Sequence, residues 1–129
     1  MAGRPDLTPP EFVERVGQRA FYRPVVAASF HDALGLCMTA VRWAREQGCS
    51  DMLVNVYGIT GIENLTTFMR YELAVTWAQA AGALRVALVV PDTLMDPQKF
   101  AMLMAHNRGV NGDVFTHEAE ALKWLDDRV

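Results

Sequence analysis

Leu84-Arg85-Val86-Ala87-Leu88-Val89-Val90 decides the reading of this chain, because six of its seven residues are apolar. A strand with one face in water alternates apolar and polar residues. A run this continuous reads as a central, parallel strand covered by helices on both faces. Its uninterrupted apolar part, Val86 to Val90, is far shorter than the roughly 20 residues that a membrane-spanning helix needs.

Working upstream, Gly82 closes a helix expected over about residues 64–81, with Leu65, Phe68, Met69, Leu73, Thr76, Trp77 and Ala80 on its inner face. Gly58-Ile59-Thr60-Gly61 reads as the turn that joins this helix to an earlier strand, Met52–Tyr57. Before that strand, Ala33, Leu34, Leu36, Cys37, Ala40, Val41 and Ala44 recur at helical spacing, the mark of an amphipathic helix. It spans about residues 30–47, with Ser29 as its cap and Gly48 as its stop. Phe12–Val16 and Ala20–Ala28 read as two strands, with Pro24 forcing an irregularity.

Downstream, Asp96-Pro97 reads as a helix start, a side-chain acceptor followed by a residue with no N–H to satisfy. Gly109 ends that helix, and Asp113–Phe115 is a brief strand. Thr116 is then expected to cap a last short helix anchored by Leu122 and Leu125, with Trp124 at its edge. The alternation of strand and helix defines an α/β layered fold. The expectation is a flexible arm over residues 1–11 and a single domain over 12–129, in which a mixed β-sheet of four to five strands packs with about four helices.

Composition narrows the function classes. The 129 residues are 51% hydrophobic and 21% charged, with a formal net charge of -3, as in an ordinary globular domain. Arg15, Arg19 and Arg23 are spread along the start of the chain, and Arg42 and Arg45 share one helix face. No concentrated basic footprint of the kind a phosphate backbone demands is evident, so nucleic acid is not an expected partner, and neither is a membrane. Cys37 and Cys49 form no metal motif, and Cys37 falls in an apolar stripe, where a free cysteine acts as a small hydrophobe. With no leader-like start, a cytoplasmic setting is expected.

The segments VNVYGITG (54–61), FMRYELAVTWA (68–78), LRVALVVPDTLMDPQKF (84–100) and AHNRGVNGDVFTHEAEALKWL (105–125) resemble the bacterial STAS-like family, small proteins related in fold to anti-sigma factor antagonists. The resemblance covers about residues 12–127 and is most specific in the C-terminal stretch. It implies a STAS-like layered fold and a non-catalytic regulatory module that binds a protein partner. In the antagonists a phosphorylated serine lies in an Asp-Ser-Ser-Gly-like segment between strand and helix. The matching residues 57–64 contain no serine, and Thr60 is the nearest hydroxyl.

The 58–64 segment also invites a reading of its own. It follows the C-terminal end of a strand and precedes a helix, where free N–H groups and the helix dipole favour an anion. The spacing of Gly58 and Gly61 is neither a P-loop nor a dinucleotide fingerprint. The candidate binding surface is therefore Tyr57, Gly58, Thr60, Gly61, Asn64 and Arg70, joined by Asn107 and Arg108 should the helix ends converge. His31, His106 and His117 are well separated, and Ser29 and Ser50 sit in no nucleophile elbow, so no catalytic, metal-binding or cofactor-binding residue is assigned. The leading expectation is a protein-binding module. The alternative is a small-ligand or anion-binding domain using the 58–64 turn. A homodimer is also expected, from the apolar residues on the helices, notably Met69, Trp77 and Trp124.

Overall fold

The structure, a computed structural model, describes residues 8–96 and 99–127. In chain order its strands are Val13–Val16 (β1), Arg19–Tyr22 (β2), Val26–Ala27 (β3), Asp51–Asn55 (β4), Ile59–Thr60 (β5), Arg85–Val89 (β6) and Gly112–Phe115 (β7). The helices are Phe30–Glu46 (α1), Thr67–Ala81 (α2), Phe100–Asn107 (α3) and Glu118–Asp126 (α4). Together they form an α/β domain built on a five-stranded mixed sheet of order β1-β2-β4-β6-β7, with β3 and β5 in a separate two-stranded sheet. β1 and β2 form an antiparallel hairpin, whereas β2, β4, β6 and β7 run parallel.

The continuous apolar run around β6 has the cause its composition implies. Met52, Val54 and Val86 face one side of the sheet and pack with Val41 of α1, Trp77 of α2 and Ala105 of α3. Leu53, Ala87 and Val89 face the other side, against Ala121 and Leu125 of α4. With period-2 geometry and both faces covered, buried residues lie on each side of these strands and none is exposed, so alternation has no solvent face to mark. The sheet grows in one direction from β2 to β7, and crossovers of one hand then carry their helices to one face. That is where α1, α2 and α3 lie.

The expected helix caps fared unevenly. Ser29 caps α1, its Oγ accepting the Asp32 N–H at 3.1 Å. α2 starts later than expected: Thr66 is its cap, accepting the Met69 N–H at 3.1 Å, and Asn64 lies outside the helix at φ 49°. Asp96 does not cap α3; the residue before that helix is Lys99, at φ 51°, and a 3₁₀ turn at Asp92–Leu94 intervenes. Pro97 lies outside the described residues, as do residues 1–7 of the expected arm. Thr116 does not cap α4 either; His117 holds that position without a side-chain bond. The expected strand over residues 20–28 is two strands broken at the buried Pro24.

Candidate functional site

The segment from Tyr57 to Asn64 begins where β4 ends. Asn55 Oδ1 accepts the Tyr57 N–H at 2.9 Å, an Asx-type turn that swings the chain out of the sheet. The segment is not a free turn, as the sequence had suggested, because Ile59 and Thr60 pair in parallel with Val26 and Ala27. Val26 N–H donates to the Gly58 carbonyl at 3.2 Å and Ala28 N–H to the Thr60 carbonyl at 2.8 Å. This close strapping explains the two glycines. A Cβ on Gly58 would collide with the Pro24 carbonyl, and one on Gly61, at φ +100°, would lie 2.8 Å from the Ala28 carbonyl.

The strapped segment has an inner and an outer side. Ile59 is buried and Ile62 half-buried, while Thr60, Gly61 and Asn64 are exposed. Tyr57 is 49% exposed and its hydroxyl donates to the Thr116 carbonyl. The anion reading loses its main support here. Residues 62–66 separate the pair of glycines from the true start of α2, and Thr66 already occupies the first-turn N–H of Met69.

Arg70, Asn107 and Arg108 do not gather with this segment. The Arg108 guanidinium lies 5.5 Å from the centroid of the Tyr71 ring, and Nη1 donates to the Met104 carbonyl at 3.4 Å. Asn107 is exposed at the end of α3. Arg70 is half-buried and lines a separate hollow with Leu65, Leu73, Asp96 and Lys99. Among the described residues, no hydrogen bond joins Arg70 to Asn107 or Arg108.

Three features had no clear sequence signal. First, Phe68 is 67% exposed at the start of α2 and stacks on Tyr71, with centroids 6.4 Å apart and planes 24° from parallel. Helical spacing puts Phe68 on the inner face of a helix that starts at 64; the actual start at Thr67 and the apolar content of α2 all round remove a reliable phase. Second, an apolar cavity of about 80 Å³ lies between α1, α2 and the sheet, with Ile59 and Ile62 in its wall. Third, a polar lock closes the carboxyl edge of the sheet. Arg23 donates two bonds to Glu118, at 3.0 and 2.8 Å, and Asn55 Nδ2 donates a third at 2.7 Å. The bond from Arg23 is the main reason the Glu118 carboxyl sits below its ordinary range, with burial opposing and Asn55 assisting.

Two of the histidines and both cysteines have identifiable surroundings. His31 faces Glu72 at 3.1 Å, and His106 Nε2 lies 2.8 Å from the Gly112 carbonyl oxygen. Burial pushes the Cys37 thiol up to about 12 and raises that of Cys49, so both stay protonated at neutral pH. No described helix is long and apolar enough to cross a membrane. Comparison with models of known families, with curated proteins and with solved structures gives no match.

Proposed function

We propose that this chain is a non-catalytic STAS-like module that binds a protein partner in bacterial regulation, docking it on the face made by the start of α2 and the end of α3. The observation that carries this reading is the exposed Phe68–Tyr71 stack with the Arg108 guanidinium over Tyr71. Aromatic residues and arginine supply most of the binding energy at protein interfaces. They are here held on helices, with Leu103 of α3 also 60% exposed. Thr60, Gly61 and Asn64 are exposed on the strap and offer a second surface to test. The partner is either a different protein or, in a homodimer, a second copy of this chain.

The test is affinity capture compared by quantitative mass spectrometry, using wild type, Phe68→Glu, Thr60→Glu and a control, Thr39→Glu, on an exposed position of α1. Phe68→Glu is expected to lower partner recovery about tenfold or more while circular dichroism stays unchanged. Sedimentation of the same proteins reads whether the partner is a second copy. Equal recovery of every partner by all four proteins would refute the docking face.

A further inference from the structure

The cavity between α1, α2 and the sheet is independent of the exposed face and has its own chemistry. Leu34 and Cys37 of α1, Ile59 and Ile62 of the strap, and Leu73 and Trp77 of α2 contribute to its wall, which is apolar throughout. Burial keeps the Cys37 thiol neutral there, so the described wall carries no charge; the buried Trp77 Nε1 donor has no hydrogen-bond partner. Whatever enters must bring hydrocarbon.

The cavity does not end blindly. Leu65, Leu73, Leu88 and Leu94 line both it and a second hollow of about 40 Å³, whose rim carries Arg70, Lys99 and Asp96. Lys99 lies 3.9 Å from Asp113 and is loosely paired. Asp96, an anion at the same rim, has an interaction of its own. Arg70 differs from both: the residue is half-buried, and its side chain makes no hydrogen bond or ion pair among the described residues. A guanidinium taken partly out of water, with no carboxylate bonded to it among the described residues, can pair with an anion that arrives with the ligand, and its planar fork matches a carboxylate.

We infer that the two hollows form one binding site for a free single-chain carboxylate amphiphile, a fatty acid or its close analogue. The alkyl chain lies in the apolar cavity and the carboxylate pairs with Arg70. The inference does not depend on the docking face, because Phe68 and Tyr71 take no part in either hollow.

The experiment is isothermal titration of the delipidated full chain with dodecanoate below its micelle concentration, with dodecanol and acetate as ligands lacking the head or the tail. Methyl NMR of Ile59, Ile62, Leu73 and Leu88 locates the bound chain. Saturable dodecanoate binding that shifts these methyl groups is expected, with acetate silent. Arg70→Gln is expected to weaken dodecanoate binding about tenfold and to leave dodecanol binding unchanged. Cys37→Phe, which fills the cavity, should abolish binding of both. Should that variant fail to fold, Leu34→Trp at a half-buried wall position makes the same test. Absence of saturable binding, or equal loss of the alcohol and the carboxylate in Arg70→Gln, overturns the assignment. So does Arg70-dependent sedimentation with phosphatidylglycerol vesicles in a protein that binds no free dodecanoate, since that outcome assigns the cation to a lipid surface.

Discussion

Removing the Arg19 guanidinium should be among the most damaging single changes a charged side chain of this protein can suffer. Arg19 and Asp51 are register partners across the parallel β2–β4 pair. Arg19 Nε and Nη2 donate to Asp51 Oδ1 and Oδ2 at 2.8 and 3.1 Å, and Nη2 also reaches Asp126 Oδ1 at 2.8 Å. The two carboxylates bear opposite consequences. The side chain of Asp51 is 1% exposed and that of Asp126 is 67% exposed. Breaking a buried pair from one side costs about 3–5 kcal/mol, because the remaining charge keeps its desolvation penalty. Asp51 has a further interaction besides Arg19, which places Arg19→Ala at the lower end, about 3 kcal/mol. For a chain of this length that is a fall in Tm of about 11 °C. Asp126→Ala removes only a solvated partner and should cost about 0.5 kcal/mol or less. Urea denaturation of both variants checks the contrast. A loss below about 1 kcal/mol for Arg19→Ala, or equal losses for the two, would refute the claim that burial of Asp51 sets the cost. The double change Arg19→Met with Asp51→Leu should recover most of the stability, since it removes both the charge and its desolvation.

Three further outcomes follow from local geometry. Ser29→Ala should cost about 1 kcal/mol by leaving the Asp32 N–H without its acceptor, read as a shift of the urea midpoint at constant slope. Gly112→Ala should cost about 2 kcal/mol, because its Cβ would lie 2.6 Å from the Val86 carbonyl and 2.8 Å from Trp77 Cζ2; a loss within error of zero would mean β7 shifts freely. Glu118, whose folded pKa is depressed, stabilises the fold above its ordinary value of 4.5, and that contribution is lost as pH falls through the lowered value. The stability gap between wild type and Glu118→Gln should therefore hold at neutral pH, at under about 1 kcal/mol for so exposed a pair. It should close in acid, and a gap that widens in acid would reverse the assignment.

The order of elements was legible because the strongest signals were of the right length for their structures. LRVALVV could be read as a covered strand since both faces of β6 are apolar for the same reason, helices on each side. The apolar spacing of α1 and the Ser29 cap gave that helix its limits to within about two residues. Elsewhere the sequence offered plausible acceptors that the fold did not use. Asp96 and Thr116 have the right side chains for caps, yet the helices begin after Lys99 and His117. β3 and β5 have two residues each, too short to carry a period of any kind. A charged residue at a strand start, such as Asp51, carries no sequence signal of burial; pairing with Arg19 from another strand makes its burial intelligible.

The candidate site was harder to read, and the reason lies in topology. Crevices at the carboxyl ends of parallel strands arise where strand order reverses and neighbouring helices part to opposite faces. Here β2, β4, β6 and β7 follow one another without reversal, so Tyr57–Asn64 does not border such a crevice, and Arg23, Asn55 and Glu118 instead join the edge to α4. What remains at 57–64 is a strap with two sides, and strand geometry assigns them. Ile59 and Thr60 are adjacent residues of an extended segment and must point opposite ways, one into the cavity and the other to solvent. A substitution at Thr60 therefore addresses what docks on the protein, whereas one at Ile59 or Ile62 addresses what the protein encloses. The two sides of this short segment therefore differ in chemistry: Ile59 and Ile62 add hydrocarbon to the cavity wall, while Thr60, Gly61 and Asn64 face solvent.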